Sequence, residues 1–164
     1  MEYGHSSSSG EKSKKPCRTC VDFKTWMKET RKLDSPQEKA DLAADLDRPR
    51  RPDCPADKDE LGRSTWAFLH TTAANFPDRP SMDEKNNMRD FIRLFAQFYP
   101  CPPCAEDLRR DIAANPPLVD SRSALSKWLC DRHNEVNRKL GKAEFDCKLV
   151  DQRWKDGWSD GSCD

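Results

Sequence analysis

Two cysteine pairs at CxxC spacing are the residues of this chain best placed to do chemistry. Cys101 and Cys104 lie in FYPCPPCAEDL, and Cys17 and Cys20 lie in PCRTC. A CxxC pair can act as a redox-active dithiol, supply half of a tetracysteine zinc site, or form a small structural disulfide. Which of these applies depends on the elements that position the thiols.

The prolines of the CPPC segment predict how its cysteines sit on a helix. Proline has no amide donor and disfavours helical geometry in the residue before it. We therefore expect Cys101 just outside a helix, Pro103 at its first position and Cys104 in its first turn. Unsatisfied N–H groups and the positive end of the helix dipole then favour the thiolate of Cys104. This environment is typical of a redox-active dithiol.

Zinc and structural interpretations of the pairs stay open. A tetracysteine zinc site would need both pairs, which lie about eighty residues apart along a charged segment, far from the usual spacing of zinc modules. A structural CxxC disulfide closes a very short loop and stabilises little. A thioredoxin-like domain would place its CxxC after a strand, whereas a helical pattern precedes this one.

Composition limits the compartment and the kinds of partner. Eight cysteines in 164 residues indicate disulfides or metal, yet the N-terminal MEYGHSSSSGEKSKK has no apolar stretch that could serve as a signal peptide. Net charge is zero, with 29 basic and 29 acidic residues, so bulk electrostatics indicate neither a nucleic-acid nor a membrane partner. No window reaches the apolar length of a membrane span. We expect an oxidising space reached without a signal peptide, or catalytic cysteines in a reducing one.

The chain divides into a flexible segment and a compact domain. Residues 1–53 are polar, carry the first CxxC and end in RPRRPD, so we predict a flexible N-terminal segment. Residues 54–164 contain four of the five tryptophans and six of the seven phenylalanines, enough to bury a core.

Apolar residues at spacings of three and four predict an all-α fold, a four-helix bundle with a short fifth helix. The first helix is stopped by Pro77, and the second runs from a Ser81/Glu84 capping box to Pro100. The third begins near Pro103 and ends at AANPP, and the fourth runs from Ser121 or Ser123 to Gly141. FDCKLVDQRWKDGW is the fifth. The inward stripes include Phe68, Phe98 and Leu140.

The remaining four cysteines suggest structural bridges. Cys130 lies in the fourth predicted helix and Cys147 near the fifth, so a disulfide would join the two. Cys54 and Cys163 bracket the domain and could join its ends or tie two chains together.

Two polar faces predict a shared pocket for an aromatic and polar ligand. Arg63, Trp66 and His70 fall on one side of the first helix. The fourth helix repeats the pattern with Cys130, His133, Asn134 and Asn137. Asparagine in mid-helix costs helix propensity, which suggests a ligand or buried partner rather than a solvated face. No GxGxxG is present, so a nucleotide would not be bound in Rossmann fashion.

These segments together resemble the Erv/ALR family of FAD-linked sulfhydryl oxidases. The motifs that carry the resemblance span nearly all of residues 53–164, and CRTCVDFKTWMK matches the N-terminal shuttle segment of the family's long forms. The motifs are DCPADKDELGRSTWAFLHTTAANFP, FYPCPPCAEDL, WLCDRHNEVNRKLGK, FDC and DQRWKDGWSDGSCD.

The resemblance implies a homodimeric helical bundle that holds FAD noncovalently, with no metal. Cys101 would be the interchange thiol, and Cys104 would lie against the isoalloxazine ring. The shuttle pair, Cys17 and Cys20, would deliver electrons to the CPPC pair of the partner subunit. Cys130–Cys147 would be a structural bridge and Cys54–Cys163 an intersubunit one. The implied FAD-binding residues are Gly62, Arg63, Trp66, His70, Tyr99, Cys130, His133, Asn134, Asn137, Lys139, Lys142, Arg153 and Trp154.

The resemblance also implies an activity and a location. The chain would oxidise dithiols to disulfides and pass electrons through FAD to oxygen or cytochrome c. It would serve the disulfide-relay import receptor of the mitochondrial intermembrane space, with a cytosolic or secreted pool also possible. The alternative is a non-enzymatic helical binding module, either zinc-held or growth-factor-like. Pro102 and Pro103 depart from the polar, often acidic, residues of relatives, which affects the expected redox potential and exchange rate rather than the chemistry.

Overall fold

The computed structural model describes residues 54–163, which form four α-helices and two short helical turns. The predicted all-α fold is confirmed, and no strand occurs within this range. The predicted flexible segment 1–53, with its CxxC, lies outside the described residues. The helices are α1 (Lys58–Ala74), α2 (Met82–Phe98), α3 (Pro102–Ala114) and α4 (Arg122–Lys139), followed by a 3₁₀ turn (Cys147–Leu149) and a π turn (Gln152–Asp156).

Local sequence explains where the helices begin and end. Asp57 accepts a hydrogen bond from the Glu60 amide at the start of α1, and Ser81 forms the predicted capping box at the start of α2. Ser121 caps α4 through the Ala124 amide. The C-terminal end of α4 is followed by Gly141 at φ 66°, the left-handed conformation that favours glycine.

The buried core is built from α1, α2, α4 and the connecting segments, and α3 adds the half-buried Ile112. Helix α1 packs on α4, and α2 packs on α3. The last segment folds back against α1 and α4. Its Asp151 accepts a hydrogen bond from Arg122 at 2.6 Å, which ties the π turn to the first turn of α4. The buried cluster comprises Leu69, Ala73, Phe76, Ile92, Val119, Leu125, Trp128 and Leu129.

Three residues predicted to face inward are exposed instead. Phe68 is 58% exposed, Phe98 is 73% exposed and Leu140 is 38% exposed. Periodicity identifies an apolar face but not its partner, and α1 and α2 carry more apolar surface than the rest of residues 54–163 covers. Phe68 and Phe98 therefore belong to an uncovered apolar face, together with Leu94, which is 42% exposed.

Between residues 54 and 163, no helix combines the length and the apolar character that crossing a membrane requires.

Candidate functional site

The CPPC segment forms the start of α3, one residue earlier than predicted. Cys101 is the N-cap residue, and prolines occupy the first two helical positions, where a missing amide donor costs no helical hydrogen bond. Cys101 and Cys104 form a disulfide with a Cα–Cα distance of 5.3 Å. The two sulfurs have different surroundings. Cys101 is fully buried, whereas Cys104 is partly exposed and lines a cavity.

This cavity, of about 400 Å³, lies between α1, the start of α3 and the end of α4, with side chains of α2 at one side. Its volume falls within the range of small-molecule and cofactor sites. Eight of the residues implied by the family resemblance line it, namely Gly62, Arg63, Trp66, Tyr99, His133, Asn137, Lys139 and Lys142.

Four stacked rings form one wall of this region. Trp66 stacks on His133 with ring centroids 4.0 Å apart, and His70 stacks on Trp154 at 4.8 Å. A hydrogen bond of 3.0 Å between His70 Nε2 and His133 Nδ1 joins the two stacks. The Arg153 guanidinium lies 4.4 Å from the Trp154 ring. His70, Trp154 and Arg153 therefore support the cavity wall from behind rather than line it.

Both histidines in the stack are held neutral. The pKa of His70 is lowered from its usual 6.5 to about 3, mainly by burial and to a smaller extent by the nearby His133 and Arg153. The pKa of His133 is lowered to about 4, mainly by burial and to a smaller extent by Lys142. Neutral imidazole rings can share a single hydrogen bond without charge repulsion, so the stack is intact at neutral pH.

At the junction with α2, Tyr99 presents a phenol to the cavity. Burial raises the pKa of this phenol, and a hydrogen bond with the Thr65 side chain partly offsets the rise. Tyr99 therefore stays neutral at physiological pH and offers a hydroxyl group close to the CPPC segment.

One lysine of the cavity belongs to an ion pair that the sequence did not reveal. Lys139 Nζ lies 2.8 Å from Asp107 Oδ2, which joins the end of α4 to α3. Asp107 and Asp111 both line the cavity but were not predicted as site residues. A signal was available, because they follow Cys104 at i+3 and i+7 and so share its helix face.

Cys130 and Asn134 lie on another side of α4. Cys130 forms a disulfide with Cys147. The Asn134 side chain donates to the Phe145 carbonyl and accepts from the Phe145 amide, both at 2.8 Å. Neither residue lines the cavity, although both were expected among the FAD ligands. Their contacts instead hold the segment after α4 against the helix.

Cys54 and Cys163 do not line the cavity, and neither forms a disulfide among residues 54–163. Cys17 and Cys20 lie outside the described residues. Within residues 54–163, no group of three or more His, Cys, Asp or Glu side chains could hold a metal ion.

The cavity residues fit FAD. Trp66 and His133 offer aromatic faces on which a ring can stack, and Arg63, Lys139 and Lys142 offer cations for a diphosphate. Cys104 of the CPPC disulfide lines the same space, so this disulfide borders a cavity suited to an aromatic anionic cofactor.

Comparisons with known proteins agree with this geometry. The model of the Erv1 / Alr family matches residues 63–155. The mitochondrial FAD-linked sulfhydryl oxidase ERV1 of Saccharomyces cerevisiae is 45% identical over 106 residues, which cover 65% of this chain and 56% of that protein. Mitochondrial FAD-linked sulfhydryl oxidase erv1 of Schizosaccharomyces pombe is 40% identical over 156 residues, covering 82% and 84%. This chain thus spans little more than half of the first relative and most of the second.

A solved structure shares the fold as well. The crystal structure of the yeast Erv1 core superposes with a TM-score of 0.65 at 45% sequence identity, covering 68% of this chain and 95% of that one. The matched family model covers more than half of the chain and includes the CPPC segment, Trp66 and His133. The chain belongs to the Erv1/Alr family.

Proposed function

We propose that this protein is an FAD-dependent thiol oxidase that converts dithiols to disulfides. The observation that carries the proposal is the position of Cys104, whose disulfide sulfur shares a cavity with the Trp66/His133 stack and three cationic side chains. The names of the relatives support the same activity, since both yeast proteins are FAD-linked sulfhydryl oxidases.

The two sulfurs of the CPPC disulfide have different roles. A substrate thiolate attacks Cys101, a mixed disulfide forms, and the second substrate thiol resolves it, which leaves Cys101 and Cys104 as thiols. Their reoxidation to the disulfide releases two electrons and two protons. Bound FAD supplies a two-electron acceptor that oxygen or cytochrome c can reoxidise. Because Cys101 is fully buried, the residues around it must move before a substrate thiolate can reach its sulfur.

The chain's own residues position the cofactor. Trp66 and His133 provide the stacking surface, while Arg63, Lys139 and Lys142 balance the diphosphate charge. Neutral His70 and Trp154 brace the stack from behind.

We further propose that the protein acts as a homodimer. The uncovered apolar face of α1 and α2, formed by Phe68, Leu94 and Phe98, is suited to pack against a second copy. Cys54 and Cys163, which form no disulfide among residues 54–163, would link the two subunits.

The proposed setting is a disulfide relay of the mitochondrial intermembrane space. The names of the two yeast relatives are mitochondrial, and a disulfide-forming enzyme requires an oxidising space. Cys17 and Cys20 act as the shuttle that receives electrons from the import receptor and passes them to the CPPC pair of the partner subunit. Cell fractionation would show whether the protein also has a cytosolic or secreted pool.

The visible absorption spectrum tests the oxidase proposal. Purified protein should carry a flavin band that bleaches when dithiothreitol is added anaerobically and returns with air. Boiled supernatant should release FAD in a ratio of about one per chain. A colourless protein that cannot take up added FAD would contradict the proposal and favour a non-enzymatic binding module.

The shuttle assignment has its own test. Cys17→Ser should leave oxidation of dithiothreitol unchanged, because a small dithiol reaches the CPPC pair directly. Oxidation of a reduced protein substrate should fall about tenfold or more, since a tethered relay raises the effective concentration of the transferring thiol. Ser8→Ala, in the same segment, is the matched control. Equal losses on both substrates would contradict a shuttle role.

A further inference from the structure

Helices α3 and α4 are joined by three polar contacts that form a ladder. The donors lie on α4, and the acceptors lie on α3 and on the residue that follows it. The two helices are antiparallel here, because the acceptor positions decrease as the donor positions increase. The contacts are Trp128 Nε1 to the Asn115 carbonyl at 3.1 Å, Arg132 to Asp111 Oδ1 at 2.8 Å, and Lys139 Nζ to Asp107 Oδ2 at 2.8 Å.

The ladder lies on the face of α3 that carries the redox sulfur. Its acceptor positions, 115, 111 and 107, are four residues apart, and a further step of three reaches Cys104. Asp111 and Cys104 are therefore two helical turns, or about 10 Å, apart on one face of the helix. Both residues line the cavity.

The middle contact differs from the other charged contact in its burial. The side chains of Arg132 and Asp111 are 17% and 13% exposed, whereas those of Lys139 and Asp107 are 42% and 36% exposed. Asp111 Oδ1 also accepts from Asn115 Nδ2 at 3.0 Å. A charge pair with little access to water cannot separate without leaving charges uncompensated, so its geometry is restricted.

Helix α3 packs mainly on α2, where Arg109 donates to the Ala96 carbonyl at 3.2 Å, and its half-buried Ile112 packs against the core. Of its 13 residues, only Ala105 is buried. A small methyl group fixes the rotation of a helix poorly, because it fills a shallow contact that tolerates turning about the axis. The polar ladder is therefore the main directional restraint between this helix and α4.

We propose that Asp111 and Arg132 are positioning residues for thiol oxidation, a role that rests on the proposed oxidase function. They set the rotation of α3 on α4 and so direct the Cys104 sulfur to the cofactor in the cavity. A rotation of about 10° moves an atom at the helix edge by about 1 Å. A misplacement of that size can reduce the rate of a reaction about 100-fold.

The test replaces the pair with apolar side chains. Asp111→Leu/Arg132→Met removes both charges together, a change that usually preserves folding because no charge is left uncompensated. Asp111→Asn is the isosteric variant, which keeps an oxygen acceptor for Arg132 but removes the negative charge of the pair. Lys127→Ala removes an exposed ion pair with Asp131 on α4 and is the matched control.

Two measurements report on the position of the sulfur. Stopped-flow absorbance follows anaerobic flavin reduction by excess dithiothreitol. In a Cys101→Ser background, where Cys104 has no disulfide partner, the long-wavelength charge-transfer absorbance reports contact between its thiolate and oxidised flavin. We expect the double variant to keep its FAD, to reduce flavin about 10- to 100-fold more slowly and to lose most of the charge-transfer absorbance. Asp111→Asn should be intermediate, and Lys127→Ala unchanged.

The outcomes separate this proposal from the oxidase function. A wild-type protein without flavin would overturn both. A flavin-containing wild type, with unchanged reduction rate and charge-transfer absorbance in the double variant, would overturn the positioning role alone. If the double variant fails to fold or loses FAD, Asp111→Asn decides: flavin reduction slowed at least about threefold supports the role, and an unchanged rate overturns it.

Discussion

The two disulfides of the domain occupy contrasting surroundings. Cys101–Cys104 closes a separation of three residues at the start of a helix, and one of its sulfurs opens into the cavity. Cys130–Cys147 closes a separation of 17 residues and joins α4 to the 3₁₀ turn. Asn134 fastens the second region by its paired hydrogen bonds with the Phe145 backbone. The same type of covalent bond thus borders an open cavity in one region and joins two packed elements in the other.

Surroundings and loop length distinguish the two disulfides. In the proposed mechanism the Cys101–Cys104 bond opens in every turnover, so it should contribute little to stability, and a three-residue loop meets that condition. A loop of 17 residues restricts the unfolded chain much more, which corresponds to about 3 kcal/mol. The fold can therefore tolerate cycling of the first bond while it depends on the second.

The largest expected effect comes from removing the sulfur in the cavity. Cys104→Ser should reduce turnover of dithiothreitol by about 10³-fold or more, because no CPPC disulfide can form. FAD content should be retained, and the thermal midpoint should change by only about 2 °C. Absorbance at the flavin band and a thermal melt provide the measurements. Cys54→Ser, which removes a cysteine outside the cavity, should keep its turnover; a comparable loss there would break the contrast between the two regions.

Removal of the structural bond should give the opposite pattern. Cys130→Ala/Cys147→Ala should lower the free energy of unfolding by about 3 kcal/mol, measured by urea denaturation without reductant. The folded fraction should still show flavin that dithiothreitol bleaches. Unchanged stability would mean that the Asn134 contacts alone hold this region together.

A smaller effect should appear when the pH is lowered. The folded pKa of His70 is about 3, below its unfolded value of 6.5, so the unfolded chain binds more protons in acid. The free energy of unfolding should be constant above pH 6.5 and fall as the pH decreases, by about 2 kcal/mol at pH 5 from this residue. His133, with a folded pKa of about 4, acts in the same direction.

The groups responsible for this pH response should lie in the cavity region. The two histidines belong to the ring stack beside the cavity, whereas the region of the second disulfide is held by the Asn134 amide, which does not titrate. Denaturation at a series of pH values, combined with FAD release measured by fluorescence, provides the test. In His70→Asn the acid-dependent loss of stability should be reduced; a loss equal to that of the wild type would assign it to other groups.

Much of the fold followed from local pattern. The capping residues Ser81 and Ser121 and the glycine after α4 marked helix boundaries, because their hydrogen bonds and backbone angles involve only near neighbours. Phe68 and Phe98 were assigned to the core incorrectly, since an apolar stripe does not indicate which element covers it. In the site, pattern alone did not reveal that the Asn134 side chain is hydrogen-bonded to the Phe145 backbone, and its contact with FAD stays a prediction.

The sequence alone determined the all-α class, the helix start at the CPPC segment and the chemical types available for a flavin site. These depend on hydrophobic period, proline geometry and side-chain chemistry, which act over a few residues. Only the tertiary structure decided that the Cys104 sulfur faces the cavity while Cys101 is buried. It alone placed Asp111 against Arg132 at 2.8 Å. Such contacts join residues distant in the chain, so they depend on how the helices pack and rotate against one another.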